Sequence, residues 1–116
     1  MDLMLETRKV AGGAVVFDMS GKLCSGEPLL VLRNQVKQLV EEGVSKVVIN
    51  LGNVSYIDSS GLGELITTYT TLRNRNGAVN LLKPSKRIKD LLQMSKLLTV
   101  FTLFDDEAMA IASLQG

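Results

Sequence analysis

The chain contains no histidine and no tryptophan, a single cysteine, and aromatic residues at only 4%. The missing histidine excludes the most. A Ser-His-Asp or Cys-His arrangement cannot be assembled within this chain, and neither can a His-rich metal site. No cofactor and no metal are expected. One thiol, Cys24, cannot form an internal disulfide, which fits a reducing compartment. Its expected role is that of a small, inert residue. Scarce aromatics weaken a base-stacking reading. An excess of one charge is lacking too: 13 Lys and Arg face 12 Asp and Glu, for a net charge of +1. That balance does not draw the chain to nucleic acid or to a membrane surface. No run reaches the ~18 to 20 apolar residues of a membrane span. The segment MDLMLETRKV carries Asp2 and Glu6 and has no apolar h-region, so it does not read as a signal peptide. The cytoplasm is the expected location.

What is present suffices for one core. A chain of 116 residues is one ordinary domain, taken as residues 1–116. Apolar residues make up 46% and charged residues 22%, which suits a soluble, mixed surface. No internal repeat, low-complexity stretch or linker interrupts it.

Strand and helix patterns alternate along the chain. Residues 4–9 suit an edge strand, Gly12 and Gly13 a turn, and 14–19 (AVVFDM) a second strand. Pro28 suits the first turn of a helix. Leu29, Leu32, Val36 and Leu39 follow on one face, and Gly43 ends the helix. Residues 46–51 (KVVINL) read as a central strand covered on both faces, with Gly52 to Ser59 leading away from it. A second helix carries Leu62, Leu65, Ile66, Tyr69 and Leu72 on one side and ends at Asn74, Asn76 and Gly77. AVNLL (78–82) is the next strand. Pro84 and Ser85 open a third helix with Ile88, Leu91 and Leu92 inward. Residues 99–104 read as a further strand or extended piece. Asp105 and Asp106 favour the start of a final helix, with Ala108, Ile111 and Ala112 as its apolar positions. The expected fold is α/β, with a mixed, mostly parallel sheet of four or five strands, four helices and right-handed crossovers. Antiparallel pairing is expected only at the N-terminal edge.

The segment Asp58-Ser59-Ser60-Gly61-Leu62-Gly63 stands at the junction of the central strand and the second helix. Backbone N–H groups at a helix start lack internal partners, and with the dipole they favour an anion. A phosphate on Ser59 would add about −1.5 to −2 charge and three acceptor oxygens, and the fold should tolerate it there. Gly61 and Gly63 would let a partner's backbone approach closely. Asp58 could bond a free serine hydroxyl or repel a phosphate. The same residues also suit plain helix capping, since Asp and Ser are common N-caps. A full capping box is absent, because Gly63 stands where Ser60 would need Glu or Gln. Lys83, Lys86, Arg87 and Lys89 form a basic cluster that reads as a solvated face. Met4 and Met94 have no special claim.

The stretch VVINLGNVSYIDSSGLGELI (47–66) resembles the signature of STAS domains, and within them that of the bacterial anti-sigma factor antagonists. Gly21-Lys22-Leu23 resembles the family's Gly-x-Leu after the second strand. Residues 78–104, with Leu91, Met94, Ser95, Leu97 and Leu98, resemble its third helix and final strand. The resemblance covers nearly the whole chain. It implies that Ser59, directly after the aspartate, receives a phosphate. Asp58, Ser60, Gly61, Leu62 and Gly63 are then the partner-binding loop. The implied partners are an anti-sigma factor that is also a serine kinase, and a serine phosphatase that reverses the modification. The unmodified antagonist binds the kinase and frees a sigma factor, while phosphorylation abolishes binding. Cys24 stands where the family commonly has Asp. The resemblance implies a regulatory module without catalytic turnover. A STAS scaffold subunit of a stressosome-like particle or a lipid-transporter complex is the alternative. An enzyme using Ser59 or Ser60 as nucleophile would have only a Ser-Lys pair to draw on.

Overall fold

The computed structural model describes residues 3–115; Met1, Asp2 and Gly116, and with them the acidic Asp2 of the N-terminal segment, lie outside the described residues. Strand β1 (Met4–Lys9) is followed by a short turn at Ala11–Gly13 and by β2 (Val15–Leu23). Helix α1 (Glu27–Glu41), β3 (Lys46–Ile57), α2 (Ser59–Arg73) and β4 (Ala78–Leu82) come next. The chain then forms α3 (Lys86–Met94), a 3-10 turn (Leu97–Thr99), β5 (Thr102–Phe104) and α4 (Glu107–Gln115).

The five strands lie in the sheet in chain order. Only β1 is antiparallel to its neighbour; β2 to β5 are parallel. When successive parallel strands step in one direction, right-handed crossovers place every connecting helix on the same face. Side-chain alternation follows that rule. Val15, Phe17, Val47, Ile49, Val79 and Leu81 point into the larger core, with Leu32 and Val36 of α1, Leu65 and Leu72 of α2, and Ile88 and Leu92 of α3. Val16, Val48 and Leu82 point the other way, against Ala110 and Leu114 of α4. Each fully buried Leu, Ile, Val or Phe contributes about 1.5–3 kcal/mol over exposure. A polar residue on the α4 face, Asn80, is buried and donates its amide N–H to the Ala110 carbonyl at 3.0 Å.

Helix α1 has Pro28 in its first turn and ends before Gly43, which has φ +81°, as the residue types predict. Five expectations need correction. The central strand does not end at residue 51 but runs to Ile57, and β2 runs to Leu23, so Gly21-Lys22-Leu23 ends a strand rather than following one. Shifts in the β2–β3 register accommodate the glycine-bearing stretch. Ile66 is exposed; Glu64 takes a buried place on α2 and meets Arg33 of α1 at 2.7 Å. The last strand keeps only Thr102–Phe104, because Lys96 turns left-handed (φ 60°) and Leu97–Thr99 coils. In α4 the buried positions are Ala110 and Leu114, not Ala108 and Ala112, and Ile111 is half-buried.

β4 stops opposite Asn50, whereas β2 and β3 stay paired to Ile57. The two central strands therefore project beyond the rest of the sheet. Helix α2 begins at the tip of that projection.

Candidate functional site

Asp58 ends β3 in extended conformation (φ −94°, ψ −178°) and caps α2. One carboxylate oxygen accepts from the Gly61 N–H at 2.7 Å, and the other from the Ser25 N–H at 3.0 Å. Its own N–H donates to the Leu23 carbonyl at 3.2 Å. One residue thus joins the helix start to the β2–α1 loop. These donors favour the charged form, so the Asp58 carboxyl is held below the usual carboxylate range, by Gly61 first and Ser25 next. Asp58 therefore acts as an anchor: its oxygens are spent on backbone N–H groups rather than kept for a serine hydroxyl.

Ser59 and Ser60 follow, both exposed in the first turn of α2. Gly63 is exposed as well, with open space where a Cβ would stand. Gly61 differs. A Cβ there would lie 2.1 Å from the Leu23 carbonyl oxygen, so its small size serves the packing of α2 on β2, not the approach of a partner. Leu62 is buried in the larger core. The six-residue segment therefore divides: Asp58, Gly61 and Leu62 hold it, and Ser59, Ser60 and Gly63 face outward.

Because β3 projects past β4, a cavity of about 690 Å³ opens between the end of β3 and helix α3. Tyr56, Ile57, Asp58 and Ser59 form one wall; Arg87, Ile88, Asp90, Leu91 and Met94 form the other. A second cavity of about 480 Å³ shares Tyr56 and Arg87 with it and adds Lys22, Cys24 and Ser55. Cys24 is half-buried and free. Sequence reasoning missed Tyr56, Arg87 and Met94. Tyr56 sits in a stretch read as loop, and its 42% exposure places an aromatic ring at the rim. Of the basic cluster, Arg87 alone lines these cavities. Lys86 instead reaches Asp90 at 3.9 Å, and Lys89 reaches Asp105 at 3.9 Å. Among the described residues, no group of three or more His, Cys, Asp or Glu could hold a metal, and no helix is long and apolar enough to cross a membrane.

The arrangement is a serine presented on a helix N-terminus at the protruding end of a parallel sheet, beside an apolar-floored groove. The STAS domain pattern matches residues 6–110. The chain belongs to the STAS domain family. Its relatives include the anti-sigma F factor antagonist of Paenibacillus polymyxa, 24% identical over 103 residues, with 89% of this chain and 88% of the relative covered. The fold is similar to that of an anti-sigma factor antagonist from Mycobacterium paratuberculosis (TM-score 0.84, 19% identity, 99% and 96% of the two chains). It is also similar to the Bacillus cell fate determinant SpoIIAA in its phosphorylated form (TM-score 0.76, 23% identity, 95% and 98% covered). Both likenesses are of fold, over nearly the whole of each chain.

Proposed function

We propose that this protein is a cytoplasmic anti-sigma factor antagonist whose binding to an anti-sigma factor is switched off by phosphorylation of Ser59. The observation that carries the reading is the exposed Ser59 hydroxyl, next to an anchored Asp58 at the start of α2. The names of the relatives support the role, and the resemblance of DSSGLG to the antagonist motif supports Ser59 as the acceptor. The partner is a serine kinase. It moves the γ-phosphoryl group of ATP onto Ser59 Oγ, takes up the hydroxyl proton and releases ADP. Ser60, Gly63 and the cavity rim contribute contact surface, while Asp58, Gly61 and Leu62 keep that surface in shape.

The switch follows from electrostatics. An added dianion brings desolvation cost and like-charge repulsion into any protein interface formed over Ser59. Each 1.4 kcal/mol lost weakens binding tenfold, so a few kcal/mol suffices to release the partner. A serine phosphatase restores binding by hydrolysing the ester. The chain itself needs no catalytic turnover in this scheme.

The test is to incubate the protein with its cognate kinase and ATP, map the phosphate, and measure binding by titration. Ser59→Ala should abolish labelling and keep binding. Ser59→Asp should weaken binding tenfold or more. Labelling at another residue with Ser59 unmodified would defeat the assignment.

A further inference from the structure

The first turn of α3 faces the start of α2 across the larger cavity, and Arg87 and Ser59 both line it. Neighbouring lysines of α3 have carboxylate partners: Lys86 has Asp90 and Lys89 has Asp105. Among the described residues, Arg87 has no ion pair. Its side chain is exposed and stands between the two cavities. On the far side, Lys22 offers only like charge. On the near side, Asp58 is engaged by Gly61 and Ser25, and Asp90 by Lys86. An uncommitted guanidinium thus shares a cavity with the serine, and the carboxylates lining that cavity already have partners.

We propose that Arg87 receives the phosphate carried by Ser59, laying its guanidinium across the cavity onto the phosphate oxygens. This rests on Ser59 being the phospho-acceptor. A phosphoserine dianion matches the planar fork of an arginine, which bonds two oxygens at once. The N-terminal dipole of α2 supports the phosphate from one side, and Arg87 closes on it from the other. The apolar floor made by Ile57, Ile88 and Leu91, open in the unmodified protein, then lies beneath the arginine stem and the phosphate. Phosphorylation consequently does two things at one place: it adds charge and covers the groove beside the serine.

The experiment uses full-length protein carrying phosphoserine at position 59 installed during synthesis, so that no kinase is needed. Phosphorus NMR against pH reads the second ionisation of the phosphate, ordinarily near about 6. Arg87 favours the dianion and should hold that ionisation lower in the wild type than in Arg87→Ala, by about half a unit or more. Arg87→Lys should recover part of the difference. Lys89→Ala, which removes a positive charge from the same helix outside the cavity, should titrate like the wild type. Salt at about 1 M should shrink the Arg87 effect. Equal titration of wild type and Arg87→Ala would overturn the proposal, as would an equal shift from Lys89→Ala. A kinase that ignores Ser59 would defeat the switch and leave this measurement untouched; equal titrations would defeat the Arg87 contact and leave the switch standing.

Discussion

Asp58 spends its carboxylate on two backbone N–H groups from different parts of the chain, and this has a pH signature. Its folded pKa lies below the ordinary value, while an unfolded aspartate titrates near about 3.9. Between those two values the unfolded chain binds more protons, so stability rises with pH through that window. The contribution is fully present above about pH 4 and is lost as pH falls through the folded value. Asp58→Asn keeps an acceptor for the Gly61 N–H but has no charge to titrate. Denaturant unfolding should find the variant less stable than wild type at pH 7, with the gap narrowing toward pH 3. A gap of the same size at both pH values would contradict the anchor role. Two glycines in the same turn make a second test. Gly61→Ala drives a Cβ against the Leu23 carbonyl and should cost about 1–3 kcal/mol or more. Gly63→Ala meets no atom and should stabilise α2 by about 0.5–1 kcal/mol. Thermal melts of the two variants should move in opposite directions.

At the scale of elements, much of the fold is written in local pattern. AVNLL forms β4 over the residues that its apolar run marks, and the spacing of Leu32, Val36 and Leu39 gives the buried face of α1. Where the pattern misleads, the deciding partner is distant in sequence. Gly52, Asn53 and Ser55 are turn-type residues, yet they lie in β3 because β2 continues alongside them through its register shifts. Helix α4 is apolar nearly all round, so its local pattern points to Ala108, Ile111 and Ala112; its contact with Val16, Val48 and Leu82 selects Ala110 and Leu114 instead. The candidate site divides in the same way. DSSGLG is local, and its position at a strand-to-helix junction was legible. The inward duty of Gly61 depends on a carbonyl from β2, and the cavity depends on β4 stopping short of β3 while α3 folds back beside it. No periodicity in the sequence joins Tyr56 to Arg87.

For the molecule as a whole, the sheet separates the proposed switch from most of what holds the fold together. Both cores lie along the strands, one beneath α1, α2 and α3 and the other beneath α4. Ser59 sits at the projecting tip, exposed, where a helix dipole favours negative charge. Arg8 ties β1 to β2 and α4 through Asp18 and Glu107, and Arg33 ties α1 to the buried Glu64 of α2. None of these pairs involves a residue of the Ser59 cavity. A phosphate on Ser59 should therefore alter binding without unfolding the domain. Phosphoserine at position 59 should change stability by less than about 1 kcal/mol, within about 8 °C in melting temperature for a domain of this size. Hydrogen exchange should change in the β2–α1 loop and in the first turns of α2 and α3. Amides of Val16, Val48 and Leu82 belong to buried core strands, where opening free energies approach the global value, and they should exchange at their original rates. If those central amides lose protection on phosphorylation, the modification acts by loosening the fold, and a surface switch at the tip is the wrong description.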